Sequence, residues 1–349
     1  MVKIWKENST LATHLKSVTN MQKYIRIIKQ ITTLIVLATV IILAGCKGKK
    51  ANQNTNGKLE GTISISGAFA LYPLAVKWAE EFKKIHPEVK IDISAGGAGK
   101  GMTDALSGMV DLGMLSREIN KSETSKGAWL VSVAKDAVLP TISDKNPVLD
   151  ELKVKGMTKE NFQQIFLTGN ITSWGTNLQK VDHKAQGKLN VYVRSDACGA
   201  GEMWGKYLGK NQESLNGIGV FGDPGVAEAV KKDPLGIGYN NVIYVYDIQS
   251  RKFYPGICVI PIDVNGNGKI DKEEDVYATL DILMAAIRDG RYPSPPARDL
   301  YFVSKGKPND PVVKEFLKWI LTDGQKYVNE SGYVQLPEEK IKNELDKIK

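Results

Sequence analysis

Histidine is nearly missing from this sequence, with three in 349 residues, and cysteine is as scarce, also three. Downstream of residue 45 only His86 and His183 remain. That scarcity bears first on catalysis. Cys198 lies at an expected helix N-terminus beside Arg194, where a thiolate would be stabilised. A cysteine nucleophile also needs a base. His86 lies between a helix and Pro87, His183 lies in a charged loop, and neither is placed for that task. No zinc-ligand spacing and no G-x-S-x-G elbow occurs. Cys46, Cys198 and Cys258 are too few for a disulfide scaffold, and whether the latter two pair is left open. Internal repeats are absent. The most apolar stretch, Ile31–Leu43, has 13 residues, short for a membrane span. Basic charge is scarcer than it looks. Without the six Lys/Arg and one Glu of residues 1–45, the 47 basic and 39 acidic residues become 41 and 38. The chain then offers no basic field for nucleic acid.

Glycine is abundant, and "AGGAGKG" (95–101) concentrates it. A Walker-type loop needs glycine five residues before its Gly-Lys pair and Ser or Thr after it. Here Ser94 and Gly101 hold those places, and a dinucleotide fingerprint fails because Met102 stands where a third glycine belongs. The preceding "VKIDIS" alternates like a strand, and "GMTDALSGMV" reads as a helix with Met102, Leu106 and Met109 on one face. Glycines between them would bring backbone N–H groups to a helix N-terminus, a setting that attracts anions. A plain strand-to-helix turn is the other reading.

The N-terminus reads as an export signal. Lys23, Arg26 and Lys29 precede the apolar run, which ends in Leu43-Ala44-Gly45-Cys46. This resembles a bacterial lipobox, implying a signal peptide over 1–45, with Met21 as an alternative start, and a lipidated Cys46. Residues 46–60 read as a polar, flexible tether.

From Glu60 onward strands and helices alternate, the pattern of an α/β fold. The segments "SGAFALYPLAVKWAEEF", "AGGAGKGMTDALSGMVDLGMLSREI", "IFLTGNITSW", "VYVRSDACGAGEMW", "PLGIGYNNV" and "FLKWILTDGQKYVNESGYVQLP" follow one another in a telling order. In that order and spacing the chain resembles the substrate-binding proteins of bacterial ABC phosphate importers. The resemblance implies a two-lobed, hinged periplasmic-binding-protein (type II) fold with mixed sheets flanked by helices. Lobe 1 is expected from 61–139 and 243–349, and lobe 2 from 140–242. The implied protein is extracytoplasmic, lipid-anchored, monomeric and not an enzyme. It would capture phosphate or a related oxyanion between its lobes and deliver it to the permease subunits of an ABC importer. The alternative is a non-transporting anion sensor, or a calcium-stabilised surface scaffold that has lost phosphate binding.

The resemblance also carries a site onto this sequence. Anion contacts are expected at Ala68, Phe69, Gly97, Ala98, Gly99, Cys198, Gly199 and Ala200, with Asp111, Arg117 and Arg194 as charged members. The family's hydroxyls are lost. Gly67-Ala68-Phe69 replaces Gly-Ser-Ser/Thr, Ala98 replaces a serine, and Cys198-Gly199-Ala200 replaces Ser-Gly-Thr. Asp111 is expected to accept a hydrogen bond from a protonated oxyanion, and Arg194 to clamp it bidentately.

A second signal needs no family. "DVNGNGKIDKEE" (263–274) fits the 12-residue calcium loop. Asp263, Asn265, Asn267, the Lys269 carbonyl, Asp271 and Glu274 fill its ligand positions, and Gly268 takes the sharp turn. The residues before it look extended, so a structural calcium clip is expected rather than a paired-helix switch. A polar Asx turn is the competing reading.

Overall fold

The computed structural model describes residues 58–175 and 187–349. The expected signal peptide, the expected lipidation site Cys46, the expected tether up to residue 57 and His183 lie outside the described residues. Among the described residues, no helix is long and apolar enough to cross a membrane.

Among the described residues nine strands carry the fold: β1 (Gly61–Gly67), β2 (Val89–Ala95), β3 (Leu112–Leu115), β4 (Ala128–Ser143), β5 (Asn190–Arg194), β6 (Ile218–Val220), β7 (Gly236–Asn241), β8 (Ile257–Val259) and β9 (Ala297–Lys305). They join in the order β2-β1-β3-β9-β4-β7-β5-β6, with β8 added on β4. β1, β2 and β3 run parallel to one another, as do β5, β6 and β7. β4 and β9 run antiparallel between the two groups. The mixed α/β sheet is the expected one, and β4 is a single strand of 16 residues.

β4 belongs to two lobes. Its first half pairs with β9 and its second half with β7 and β8. Val131, Val133 and Ala134 enter one hydrophobic core, while Ala137, Val138, Leu139 and Ile142 enter another. β9 changes core as well, with Ala297 in the second and Leu300 in the first. The change falls at a directly paired couple, Asp136 and Arg298. Two strands crossing side by side between separate cores form a natural hinge.

The cores correct the expected lobe boundary. Ile257, Ile262, Val276, Leu283, Ile287 and Tyr292 pack with the second core, so residues 245–297, including the 263–274 loop, belong to lobe 2. Lobe 1 resumes at Arg298 with β9 and the C-terminal helices.

Local sequence explains the helices that frame the cleft. Tyr72–Ile85 starts with proline in its first turn and buries Leu74, Ala75, Trp78, Ala79 and Phe82 at helical spacing. The Trp78 indole donates to the Gly324 carbonyl at 2.8 Å, tying this helix to the C-terminal segment. The helix after the glycine turn spans Ala98–Ser107, beginning three residues before the expected Gly101. Gly97 precedes it at φ 87°, a conformation that suits glycine. Gly108 then ends it in the left-handed conformation. Met109 is therefore past the helix and 75% exposed instead of on its buried face.

Candidate functional site

In open α/β sheets, ligands bind beyond the carboxyl ends of the parallel strands. Here the six parallel strands supply those ends from both lobes. Gly67-Ala68-Phe69 follows β1, Gly96–Gly99 follows β2 and Ser116 follows β3. From lobe 2, Arg194–Ala200 follows β5, Gly222-Asp223 follows β6 and Asn241 ends β7.

These loops meet. The Gly99 N–H donates to the Ala197 carbonyl at 3.0 Å. A β-carbon on Gly97 would lie 2.6 Å from Asp196 Oδ2, and one on Gly199 would lie 2.1 Å from Ser116 Oγ. Phe69 packs edge-on to Phe221 across the cleft, ring centroids 5.9 Å apart. The glycines permit this close approach, since any side chain would hold the loops apart.

Arg194 is the buried centre of the site, 5% exposed. Its Nε donates to Asp196 Oδ1 at 2.8 Å, Nη2 bonds Asp196 and Nη1 bonds Asp223. The guanidinium also lies 5.3 Å from the centroid of the Phe69 ring, a cation–π arrangement. Burial is the largest single influence on Arg194 and would lower its pKa, but the Asp223 and Asp196 carboxylates and Cys198 together outweigh it and the net shift is upward. Burial acts against the Asp196 carboxylate too, yet its bonds from Arg194 hold it below the ordinary range. Asp223 is fixed in turn by Asn241 Nδ2 at 2.7 Å, and the Asn241 side-chain oxygen accepts from Arg298. One arginine faces two carboxylates, so the cluster is not a bare cationic trap.

Ala68, Ala98, Cys198 and Ala200, expected at the site, lie in the turns that follow β1, β2 and β5, and all four are buried. The nearby amides are largely used within the protein. Ala68 N–H donates to Met114, and Gly96 and Gly97 both donate to the Gly67 carbonyl. Cys198 caps the helix Gly199–Tyr207, its Sγ accepting from Gly201 N–H at 3.2 Å. Burial pushes its thiol up to about 12, against the stabilised thiolate suggested by the sequence. Cys198 and Cys258 are both free and buried.

Asp111 does not reach the cleft. It precedes β3, and its exposed carboxylate accepts from Ser64 N–H at 2.8 Å and Ser64 Oγ at 2.7 Å. Ser116, at the other end of the strand, is five residues on, or roughly 16 Å at about 3.3 Å per residue. Arg117 adjoins the cleft, but its guanidinium grips Glu123 with two bonds of 2.9 and 2.7 Å. Ser116, Asp196, Asp223, Asn241 and Arg298 are the residues that sequence reasoning misses. Their signal is positional, each lying at or near an end of a strand that lines the cleft.

The 263–274 loop folds around its own oxygens. Asp263 accepts from Gly266, Asn267 and Gly268 backbone N–H groups at 2.7, 3.2 and 2.8 Å. Glu274 closes over the turn and accepts from Val264, Asn265 and Asp271 N–H groups. Asp271 takes the side-chain amides of Asn265 and Asn267 and pairs with Lys269 Nζ at 2.9 Å. Among the described residues, no group of three His, Cys, Asp or Glu is drawn together as a metal cluster. The donor set is nevertheless all oxygen, as a hard cation requires. Rotating the two Asn amides would exchange nitrogen for oxygen toward Asp271.

Known proteins agree with this architecture. Residues 52–324 match the family described as the PBP superfamily domain. The phosphate-binding protein PstS of Methanocaldococcus jannaschii is 27% identical, covering 93% of this chain and 95% of that protein. PstS of Staphylococcus aureus (strain USA300) is 24% identical, covering 90% of each. Among solved structures, a phosphate ABC transporter substrate-binding protein of Clostridium perfringens with bound phosphate superposes with a TM-score of 0.64 at 24% identity, covering 79% of this chain and all of that one. An ABC-type phosphate transport receptor from Vibrio cholerae gives 0.56 at 20% identity, covering 79% and 100%. These relatives are binding proteins rather than enzymes. A family match spanning most of its length, on a fold whose two lobes close over paired strand ends, places this chain in the PBP superfamily as a PstS-like substrate-binding protein.

Proposed function

We propose that this protein captures phosphate or a related oxyanion between its lobes and passes it to the permease subunits of an ABC importer. It does so as an extracytoplasmic monomer anchored by lipid on Cys46. One observation carries the reading: glycine turns of lobe 1 meet the Arg194–Ala200 loop of lobe 2 through the Gly99–Ala197 bond. A small anion bound there would touch both lobes and favour their closed state, which is how binding becomes a signal to a transporter. Arg194 would supply charge-assisted donors after exchanging part of its bonding to Asp196 or Asp223.

That exchange also favours the second reading. With Arg194 already matched by two carboxylates and the hydroxyls gone, an inorganic dianion gains less here than in a site with free donors. A sensor or scaffold that has lost phosphate binding fits the same geometry. Isothermal titration with phosphate, sulfate and organophosphates separates the two. Saturable heat with phosphate supports the importer reading, and silence with every oxyanion supports the other.

The 263–274 loop we assign as a structural calcium clip. Asp263, Asn265, Asn267, Asp271 and Glu274 would supply side-chain oxygens and Lys269 its carbonyl. Ile270 N–H donates to the Val154 carbonyl at 2.8 Å and Asp263 N–H to Met157 at 3.0 Å, so a bound cation would brace lobe 2.

A further inference from the structure

Beside the Arg194 cluster lies a cavity of about 350 Å³ that the phosphate reading does not use. Its walls come from both sides of the hinge. Lys135 stands on β4, Arg298 and Asp299 on β9, Lys340 on the C-terminal helix, Lys206 on the lobe 2 helix Gly199–Tyr207 and Glu118 on the loop after β3. Four cations thus face two carboxylates. Lys340 pairs with Asp299. Among the described residues, Lys135 and Lys206 have no ion-pair partner.

Arg298 is the unusual member. It is only 6% exposed, yet its Nη1 has no hydrogen-bond partner. Its other nitrogens are engaged: Nε donates to the Ser116 carbonyl at 3.3 Å, Nη2 bonds Asn241, and Nη2 lies 3.5 Å from Asp136 Oδ2. A buried guanidinium donor left unpaired is costly, and it leaves a positive charge behind this wall of the cavity.

We propose that this cavity is a second anion site, taking a small organic anion with two separated acid groups, such as a phosphocarboxylate. The volume sets the size, since at about 30 Å³ per water molecule the space holds on the order of ten waters. That is far more than one inorganic phosphate displaces. The two lysines without an ion-pair partner, Lys135 and Lys206, set the valence. Lys206 belongs to lobe 2 and Lys340 to lobe 1, so the occupant bridges the lobes and stabilises their closed arrangement. Arg298 links it through Asn241 and Asp223 to Arg194. The site stands whether or not phosphate binds at Arg194.

The test is calorimetric titration of the full soluble chain with 2-phosphoglycolate, with glycerol 3-phosphate as the single-acid comparison, at constant ionic strength. The diacid is expected to bind at least tenfold more tightly than the monoacid. Lys206→Glu should weaken it tenfold or more, Lys206→Arg should hold it within threefold, and Lys210→Glu, on the exposed turn after that helix, should leave it unchanged. Absence of diacid heat, or equal losses in Lys206→Glu and Lys210→Glu, overturns the proposal. A parallel titration with inorganic phosphate reads the Arg194 cleft separately.

Discussion

Gly99 donates its backbone N–H to the Ala197 carbonyl at 3.0 Å, latching the glycine turn of lobe 1 to the arginine loop of lobe 2. A β-carbon at Gly99 would fall 2.8 Å from Ala197 Cβ and 3.2 Å from its carbonyl oxygen. The added bulk in Gly99→Val would press on the other lobe. The variant should keep its melting temperature within a few degrees while its lobes stay apart. Oxyanion affinity should fall at least tenfold, about 1.4 kcal/mol, and small-angle scattering should show no compaction. Wild-type affinity in this variant would mean that the latch is not part of binding.

Arg194 is held for stability as well as for any ligand. Its guanidinium is the shared cation of Asp196 and Asp223, and its side chain is 1% exposed. Removing one member of a buried ion cluster costs about 3–5 kcal/mol, because the partners remain buried and charged. Arg194→Met should show that loss in urea unfolding at neutral pH. Adding Asp223→Asn should recover part of it, since the uncompensated charge is then removed. Equal stability of Arg194→Met and wild type would refute this account.

The missing hydroxyls can be restored. Ala98, Cys198 and Ala200 sit in the strand-end turns of the two lobes, and all are buried. Serine at each adds a donor with little extra volume. At position 198 the oxygen is also a better helix cap than sulfur. Each hydrogen bond to a charged ligand contributes about 1.5–3 kcal/mol, or tenfold and more in affinity. The triple variant Ala98→Ser, Cys198→Ser, Ala200→Ser should therefore bind inorganic phosphate at least a hundredfold more tightly by titration calorimetry. A gain below threefold would show that the cleft does not present these positions to the anion.

Local rules make much of this legible. Apolar periodicity finds the helix Tyr72–Ile85, and Thr158 is visible as the cap that opens Lys159–Gln163. Positions near the strand ends, such as Gly97–Gly99 and Arg194–Ala200, are brought together, as the Gly99–Ala197 bond shows. Asp111 does not, because a carboxylate beside a four-residue strand gives no sign of which end faces the ligand. The lobe boundary fails for a similar reason. Whether Ile257 or Tyr292 joins one core or the other depends on contacts far along the chain, and β4 passes through both without a break in its pattern. Arg298 and Asp136 stay hidden because their importance comes from being opposite each other on crossing strands.

Calcium should act on stability. If the 263–274 loop binds with the modest affinity of extracellular sites, calcium at ten- to fiftyfold above Kd adds about 1.4–2.3 kcal/mol. In a chain of this length that raises Tm by about 2–4 °C. Glu274 reaches three backbone N–H groups with its two oxygens. Glu274→Gln should remove the calcium-dependent part of the rise and leave the chelator-treated Tm near that of chelator-treated wild type. An identical Tm with calcium and with chelator in the wild-type chain would exclude the clip.

The hinge couple predicts a pH effect of unusual sign. Asp136 is 1% exposed and both its carboxylate oxygens lack hydrogen-bond partners. Arg298 is 3.5 Å away, but burial is the larger influence and pushes the carboxyl up to about 6, from 3.8. A carboxyl raised on folding favours the protonated native state. Its contribution is complete below pH about 4 and is lost as pH rises through about 6. At about 1.4 kcal/mol per pH unit, the change across that range is about 3 kcal/mol. Most carboxylates that gain a cation on folding behave oppositely, losing their contribution as pH falls below about 4, so the signature is sought as a difference. The stability of wild type minus that of Asp136→Asn, measured by urea unfolding, should decline between pH 4 and 7 and then level off. Asp223, Tyr244 and Tyr333 also act electrostatically on this carboxyl, but the three stay in place in both proteins and drop out of the difference. A flat difference across that range would mean that Arg298 holds Asp136 ionised after all, and that the crossing strands meet at a satisfied ion pair.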